Sequence, residues 1–102
     1  MKLSEVLDSN AYVLIEFYDE SCPPCQYLSK ELIKLKKRLG DNIDIVQVDR
    51  KKDLKAFEAF KIKSLPHMKL FKFKKPLWEF SGIKSEKELI FIINKLEKDG
   101  QF

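Results

Sequence analysis

The 102 residues hold one histidine, His67, and only two cysteines, Cys22 and Cys25. Those three side chains leave a tetrahedral zinc site one ligand short, so metal binding would need a site shared between chains. No stretch approaches the roughly 20 apolar residues that cross a bilayer. The opening residues, Met1-Lys2-Leu3-Ser4-Glu5, turn polar at once, and Glu16 interrupts the first apolar run, unlike a secretory leader. The expectation is a soluble, cytoplasmic protein. There a Cys-x-x-Cys pair points to redox or metal chemistry rather than to a structural staple. Arginine is scarce and no nucleic-acid motif appears, so neither nucleic acid nor a membrane is an expected partner. Acidic residues are missing from Ala59 to Trp78, a stretch that holds Lys61, Lys63, Lys69, Lys72, Lys74 and Lys75. This reads as a solvated lysine face ahead of a docking surface for acidic partners. Linkers, repeats and low-complexity segments are also lacking, which suits a single domain over 1–102.

What is present is a foldable mixture. Hydrophobic residues make up 44% of the chain, enough for a core, and the net charge of +4 is only mildly basic. Leu3–Asp8 is a short helical candidate, and residues 11–18, AYVLIEFY, form a continuous β-rich run expected for a strand buried on both faces. A helix is predicted over 23–39, with Leu28, Leu32, Leu35 and Leu39 on one stripe and Gly40 ending it. IDIVQV, 43–48, is a second strand. Asp49 is the predicted cap of a short helix running to Phe60, with Leu54 and Phe57 facing inward. Strands follow at 67–73 and 77–81, with Pro76 marking an edge or turn between them. Ser85 and Glu88 make a capping box before a last helix whose stripe is Leu89, Ile92, Ile93 and Leu96. This order predicts an α/β fold: a mixed sheet of about four strands covered on both faces, the first two strands parallel and the last two a hairpin.

The cysteines fall on the helix in a telling place. Extending the apolar stripe back from Leu28 reaches Cys25, then Cys22, so both sulfurs lie on one side of one turn at a spacing that permits a disulfide. Cys22 sits at the helix start, where unpaired N–H groups and partial positive charge favour a thiolate; it is the expected nucleophile. Cys25, on the buried stripe, would attack the mixed disulfide from inside. Pro23 and Pro24 suit the first turn, which tolerates residues without an N–H, and they stiffen the loop. Glu16 interrupts the central strand just before the reactive turn. Burial would raise its pKa and make it a proton acceptor for the Cys25 thiol. Tyr18, Tyr27 and Trp78 read as packing residues, and Lys69, unusual in a central strand, as a snorkelling side chain.

With VLIEFYDESCPPC at 13–25, IVQVD at 45–49, SLPHMKLFK at 64–72 and Gly82 before the last helix, the chain resembles the thioredoxin family over nearly its whole length. The resemblance implies a thioredoxin-like fold, Cys22 as the attacking and Cys25 as the resolving cysteine, and Glu16 as the family's buried acid. It implies that Pro66 is cis and faces the active site, and that Leu65 offers its backbone to a bound substrate strand. Leu65, Pro66, His67, Pro23 and Pro24 are thus the expected substrate-binding residues, with His67 near enough to Cys22 to bias its charge. The departures are Ser21 for the family's Trp, Pro-Pro for Gly-Pro, His67 for Thr after the cis-proline, and Ile45 for the lysine often near the buried acid. The N-terminus is too short for the family's first strand, so four strands are expected rather than five.

The expected function is thiol–disulfide exchange, reducing protein disulfides through a reversible Cys22–Cys25 pair and taking electrons from a thioredoxin reductase or another donor. A monomer without cofactor or metal is expected. The competing readings are a disulfide isomerase or oxidant, a non-catalytic adaptor on the same fold, and a metal-binding module.

Overall fold

The computed structural model describes Leu7 and residues 10–100. Apart from Leu7, the helix expected at Leu3–Asp8 lies outside the described residues. The chain runs β1 (Tyr12–Tyr18), α1 (Pro23–Leu39), a 3-10 turn (Gly40–Asn42), β2 (Ile43–Asp49), α2 (Leu54–Ala59), β3 (His67–Lys72), β4 (Lys75–Ser81) and α3 (Glu86–Lys98). The four strands form one mixed sheet in the order β2-β1-β3-β4. β1 pairs parallel with β2 from Tyr12↔Ile43 to Tyr18↔Asp49, while β3 runs antiparallel to both β1 and β4.

Strand alternation sorts the core onto the two faces of this sheet. Tyr12 and Leu14 pack with Met68 and Leu70 against Leu28, Leu32 and Leu35 of α1 and Leu89 and Ile93 of α3. Val13, Ile15 and Phe17 turn the other way, onto Val48, Phe57 and Phe71. Phe17 meets Phe57 edge-on, with ring centroids 5.3 Å apart. A strand buried on both faces has no room for alternating polarity, which is why 11–18 reads as an unbroken apolar run. Glu16 is the exception, and it is fully buried, with 0% relative exposure.

The ends of the helices follow their local chemistry. Gly40 closes α1 at φ +56°, its N–H donating to the Lys36 carbonyl, and the capping box of α3 is complete in both directions between Ser85 and Glu88. Lys36, Lys37 and Arg38 complement the carbonyl end of α1. Glu31 ties the two long helices together: its Oε1 accepts the Glu86 N–H and its Oε2 is held by Lys34 at 2.8 Å.

Several expectations are corrected. Asp53, not Asp49, caps α2, accepting the Ala56 N–H at 3.1 Å; Asp49 instead bends the preceding loop by accepting the Lys51 N–H. Leu54 is the first residue of α2 and is exposed, whereas Phe57 is buried as expected. Pro76 lies inside β4, at the sheet edge and beside an irregularity between Leu70 and Phe71, rather than between strands. The hairpin turns on Phe73 and Lys74, both at positive φ. Tyr27 is exposed, so it is not a packing residue; Trp78 does pack, stacked on Phe80 at 6.0 Å. The lysine-rich stretch is not one face either. Lys69 lies over Phe60 on the α2 side, and Lys72 lies over Tyr12 on the opposite side. Among the described residues no helix is long and apolar enough to cross a membrane.

Candidate active site

The sheet delivers β1 to the N-terminus of α1, and the loop between them is tied down before the first cysteine. Asp19 is buried and accepts from the Ser21 N–H at 2.9 Å, the Ser21 hydroxyl at 2.8 Å and the Arg50 guanidinium at 2.8 and 3.1 Å. Those donors, the Ser21 N–H foremost, hold its carboxyl down at about 2. The Cys22 N–H donates to the Asp19 carbonyl at 3.1 Å, so the same residue fixes the entry of the reactive turn. Ser21, which stands where thioredoxins have Trp, serves here as a ligand of Asp19.

Cys22 is the N-cap of α1, and Pro23 and Pro24 fill its first two helical positions. Cys22 and Cys25 are joined as a disulfide, with their Cα atoms 5.3 Å apart. The two sulfurs differ in surroundings: Cys25 is buried, and Cys22 is half-buried. Because neither proline has an N–H, the first amide of the helix to reach the Cys22 sulfur is that of Cys25, at 3.2 Å. Pro23 and Pro24 are exposed on this turn.

Behind the pair lies Glu16, on the same sheet face as Leu14 and beneath α1. Both carboxylate oxygens accept from the Ser29 hydroxyl, at 3.0 and 2.9 Å, and Oε1 also accepts from Gln47 Nε2 at 2.9 Å. Burial pushes the Glu16 pKa up, and the Gln47 and Ser29 hydrogen bonds pull partly back. The Ser29 hydroxyl is also 3.0 Å from the Cys25 carbonyl, which links the carboxyl to the second cysteine's own turn.

The Leu65–Pro66 peptide is cis and leads into β3. Pro66 is buried, Leu65 is half-buried against the α2-side core, and the Pro66 carbonyl accepts the Gly82 N–H at 2.8 Å. His67 departs from expectation in its orientation. By register it opposes Phe17, on the face away from Glu16, and its ring is held between Ser81 at 2.6 Å and Glu79 at 2.9 Å. A lowered Glu79 pKa accompanies that pairing. The ring is thus engaged by β4.

Asp19, Arg50, Ser29 and Gln47 are not among the site residues expected from the sequence. Asp19 and Ser21 form the Asx-type turn that Asp-x-Ser favours, a local cue. Gln47 becomes visible only once the register places it opposite Glu16. Among the described residues no cluster of three metal-ligating side chains occurs.

The comparisons agree with this geometry. The thioredoxin family model matches residues 3–95. The chain is 36% identical over 78 residues to a chloroplastic thioredoxin Y of Oryza sativa subsp. japonica, covering 76% of this chain and 46% of that protein. It is 28% identical over 92 residues to a thioredoxin of Rickettsia typhi, covering 90% and 88%. A solved structure described as thioredoxin-2, a component of malaria parasite protein secretion machinery, superposes with a TM-score of 0.82 at 32% identity, covering 85% of this chain and 84% of that one. The chain spans about half or less of the length of the three chloroplastic relatives it matches. A match running from residue 3 to residue 95 takes in all four strands and the cysteine turn, and the chain therefore belongs to the thioredoxin family.

Proposed function

We propose that the chain is a thiol–disulfide oxidoreductase that reduces protein disulfides, with residues 1–102 acting as one domain. The observation that carries this reading is the cysteine pair joined across the first turn of α1, Cys22 half-buried and Cys25 buried, with the Ser29 hydroxyl shared between the Cys25 carbonyl and the buried Glu16 carboxyl. In the reduced protein, the Cys22 thiolate attacks a substrate disulfide. The substrate S–S bond breaks, one substrate thiolate leaves, and a Cys22–substrate disulfide forms. Cys25 then loses its proton toward Glu16 and attacks the Cys22 sulfur. The 22–25 disulfide forms, and the second substrate thiolate leaves. The substrate gains two electrons and the protein loses two. An electron donor, a thioredoxin reductase or another dithiol reductant, restores the pair.

The exposed Pro23 and Pro24, with Leu65, the cis Pro66 and the backbone of His67, form the surface we assign to the substrate strand. The side chain of His67, held by Ser81 and Glu79, has no part in that assignment. A cytoplasmic setting, which keeps thiols reduced, completes the reading, with the protein acting as a monomer. Insulin reduction with dithiothreitol as electron source tests it. Turnover should be catalytic for the wild-type protein and absent for Cys22→Ser; equal rates for the two would exclude the assignment.

A further inference from the structure

Glu16 has two neutral hydrogen-bond donors, and both also face each other: Gln47 Nε2 lies 3.3 Å from Ser29 Oγ. The Ser29 hydroxyl owns one proton but has two acceptors in reach, the Glu16 carboxylate and the Cys25 carbonyl. While Glu16 is ionised, the charged oxygen is the stronger acceptor and takes that proton. When Glu16 is protonated, its own O–H donates to Ser29 Oγ, and the serine proton turns to the Cys25 carbonyl. Either protonation state leaves every group partnered.

On the outer side of these residues, between α1 and β2, lies a cavity of about 430 Å³ lined by Ser29, Leu32, Ile33, Ile45 and Gln47. Gln47 is exposed and Ser29 half-buried, whereas Glu16 has no exposed surface. Cys25 from α1, Tyr18 from β1 and Asp49 from β2, paired with Tyr18, are titratable groups on the Glu16 side, and Glu20 also acts on Tyr18. β2 presents the neutral Gln47 and β3 the apolar Met68. Lys36 and Lys37 of α1 stand along the cavity.

We propose that Ser29 relays the Glu16 proton to solvent in this cavity while Gln47 holds the carboxylate in place. Ser29 and Gln47 are positioning and relay residues in the reduction cycle proposed above, and the inference rests on that reading. In the relay step the Ser29 hydroxyl rotates from the Cys25 carbonyl toward a water in the cavity; the Glu16 O–H bond breaks as Ser29 Oγ takes the proton, and Ser29 gives its own hydroxyl proton to that water. One proton leaves, and no electrons move. Glu16 is thereby reset before the next Cys25 thiol must be deprotonated.

The test follows two readouts across pH: the infrared carboxyl band assigned to Glu16 by its loss in Glu16→Gln, and the rate of insulin reduction. Ser29→Ala should raise the midpoint of the band by roughly one pH unit, because it removes a donor to the charged form. It should also slow turnover by about tenfold, less than the ~10²–10⁴-fold of a group that exchanges the proton directly. Ser29→Thr, which keeps the hydroxyl, should restore both. Gln47→Ala should raise the midpoint yet turn over faster than Ser29→Ala, since the relay hydroxyl remains; this exposed position also guards against a Ser29→Ala that does not fold. An unshifted band in both variants, or a Ser29→Thr no better than Ser29→Ala, overturns the relay. A wild-type protein that fails to reduce insulin defeats the reductase reading instead, and the band still reports on the hydrogen bonds.

Discussion

At the scale of single residues, the two cysteines are separated by role through their surroundings. Cys25 is buried and Cys22 half-buried, so in the proposed cycle the first attack on a substrate is assigned to Cys22. Cys25→Ser is expected to accumulate a mixed disulfide through Cys22, seen by mass spectrometry, and Cys22→Ser to form none. Faster alkylation of Cys25 than of Cys22 in the reduced protein would reverse the assignment. Glu16 and Asp19 show how environment decides the behaviour of a carboxyl. Burial raises the Glu16 pKa, so the folded state binds that proton more tightly than the unfolded chain. Its contribution favours the fold below the unfolded value of about 4.3 and is lost as pH rises toward the folded pKa. Asp19 is opposite: its support is present above the unfolded value of about 3.9 and is lost as pH falls toward about 2. Glu16→Gln should therefore flatten the loss of stability above pH 4–5 in denaturant titrations, leave the acid limb from Asp19, and slow turnover by ~10²-fold or more near neutral pH. An unchanged rate at every pH would remove Glu16 from the chemistry. Cys22, Cys25 and Glu16 stood out in the sequence because each departs from its local surroundings, whereas Pro66 was reached only through the resemblance to the thioredoxin family. Ser29 and Gln47 were not, because they reach Glu16 across 13 and 31 residues through a register that no local pattern specifies.

At the scale of elements, period and punctuation made most of the fold readable. α1 begins and ends at the predicted residues because Pro23-Pro24 can sit only in a first turn and Gly40 takes the positive φ that ends a helix. The capping box of α3 is likewise a local device and was visible as one. The start of α2 was missed because Asp49 and Asp53 are both plausible caps four residues apart. The choice falls to the turn after β2, where Asp49 takes the Lys51 N–H. Gly82 is the joint between an element and the site. Its φ is +123°, a Cβ there would lie 3.2 Å from Phe80, and its N–H holds the Pro66 carbonyl. Gly82→Ala is expected to cost about 1–3 kcal/mol in unfolding experiments, from backbone strain. It should also weaken substrate capture more than Ser85→Ala, a cap loss of about 1 kcal/mol remote from the cysteines. Equal effects of the two on the KM for insulin would separate Gly82 from the site.

At the scale of the whole molecule, the strand order β2-β1-β3-β4 puts the central strand β1 directly before the cysteine turn, so the most deeply buried element positions the reactive one. The direction of electron flow depends on how strongly the fold stabilises the Cys22 thiolate, because a stabilised thiolate makes an oxidant. Pro24, at the second helical position, takes one N–H donor away from that sulfur, and the Cys25 N–H is the helix amide that reaches it. The His67 ring is held by Ser81 and Glu79 on the sheet face away from Glu16. Both features are expected to leave the thiolate only modestly stabilised, which predicts a reducing couple. Equilibration of the protein in glutathione buffers, with thiols trapped and the 22–25 disulfide counted by mass, measures this directly. The expected result is a two-electron transition near the ~−270 mV typical of thioredoxins, with the Cys22 thiolate lost well above acid pH in an absorbance titration. A midpoint near the ~−120 mV of strong disulfide donors, with a thiolate persisting into acid, would contradict it.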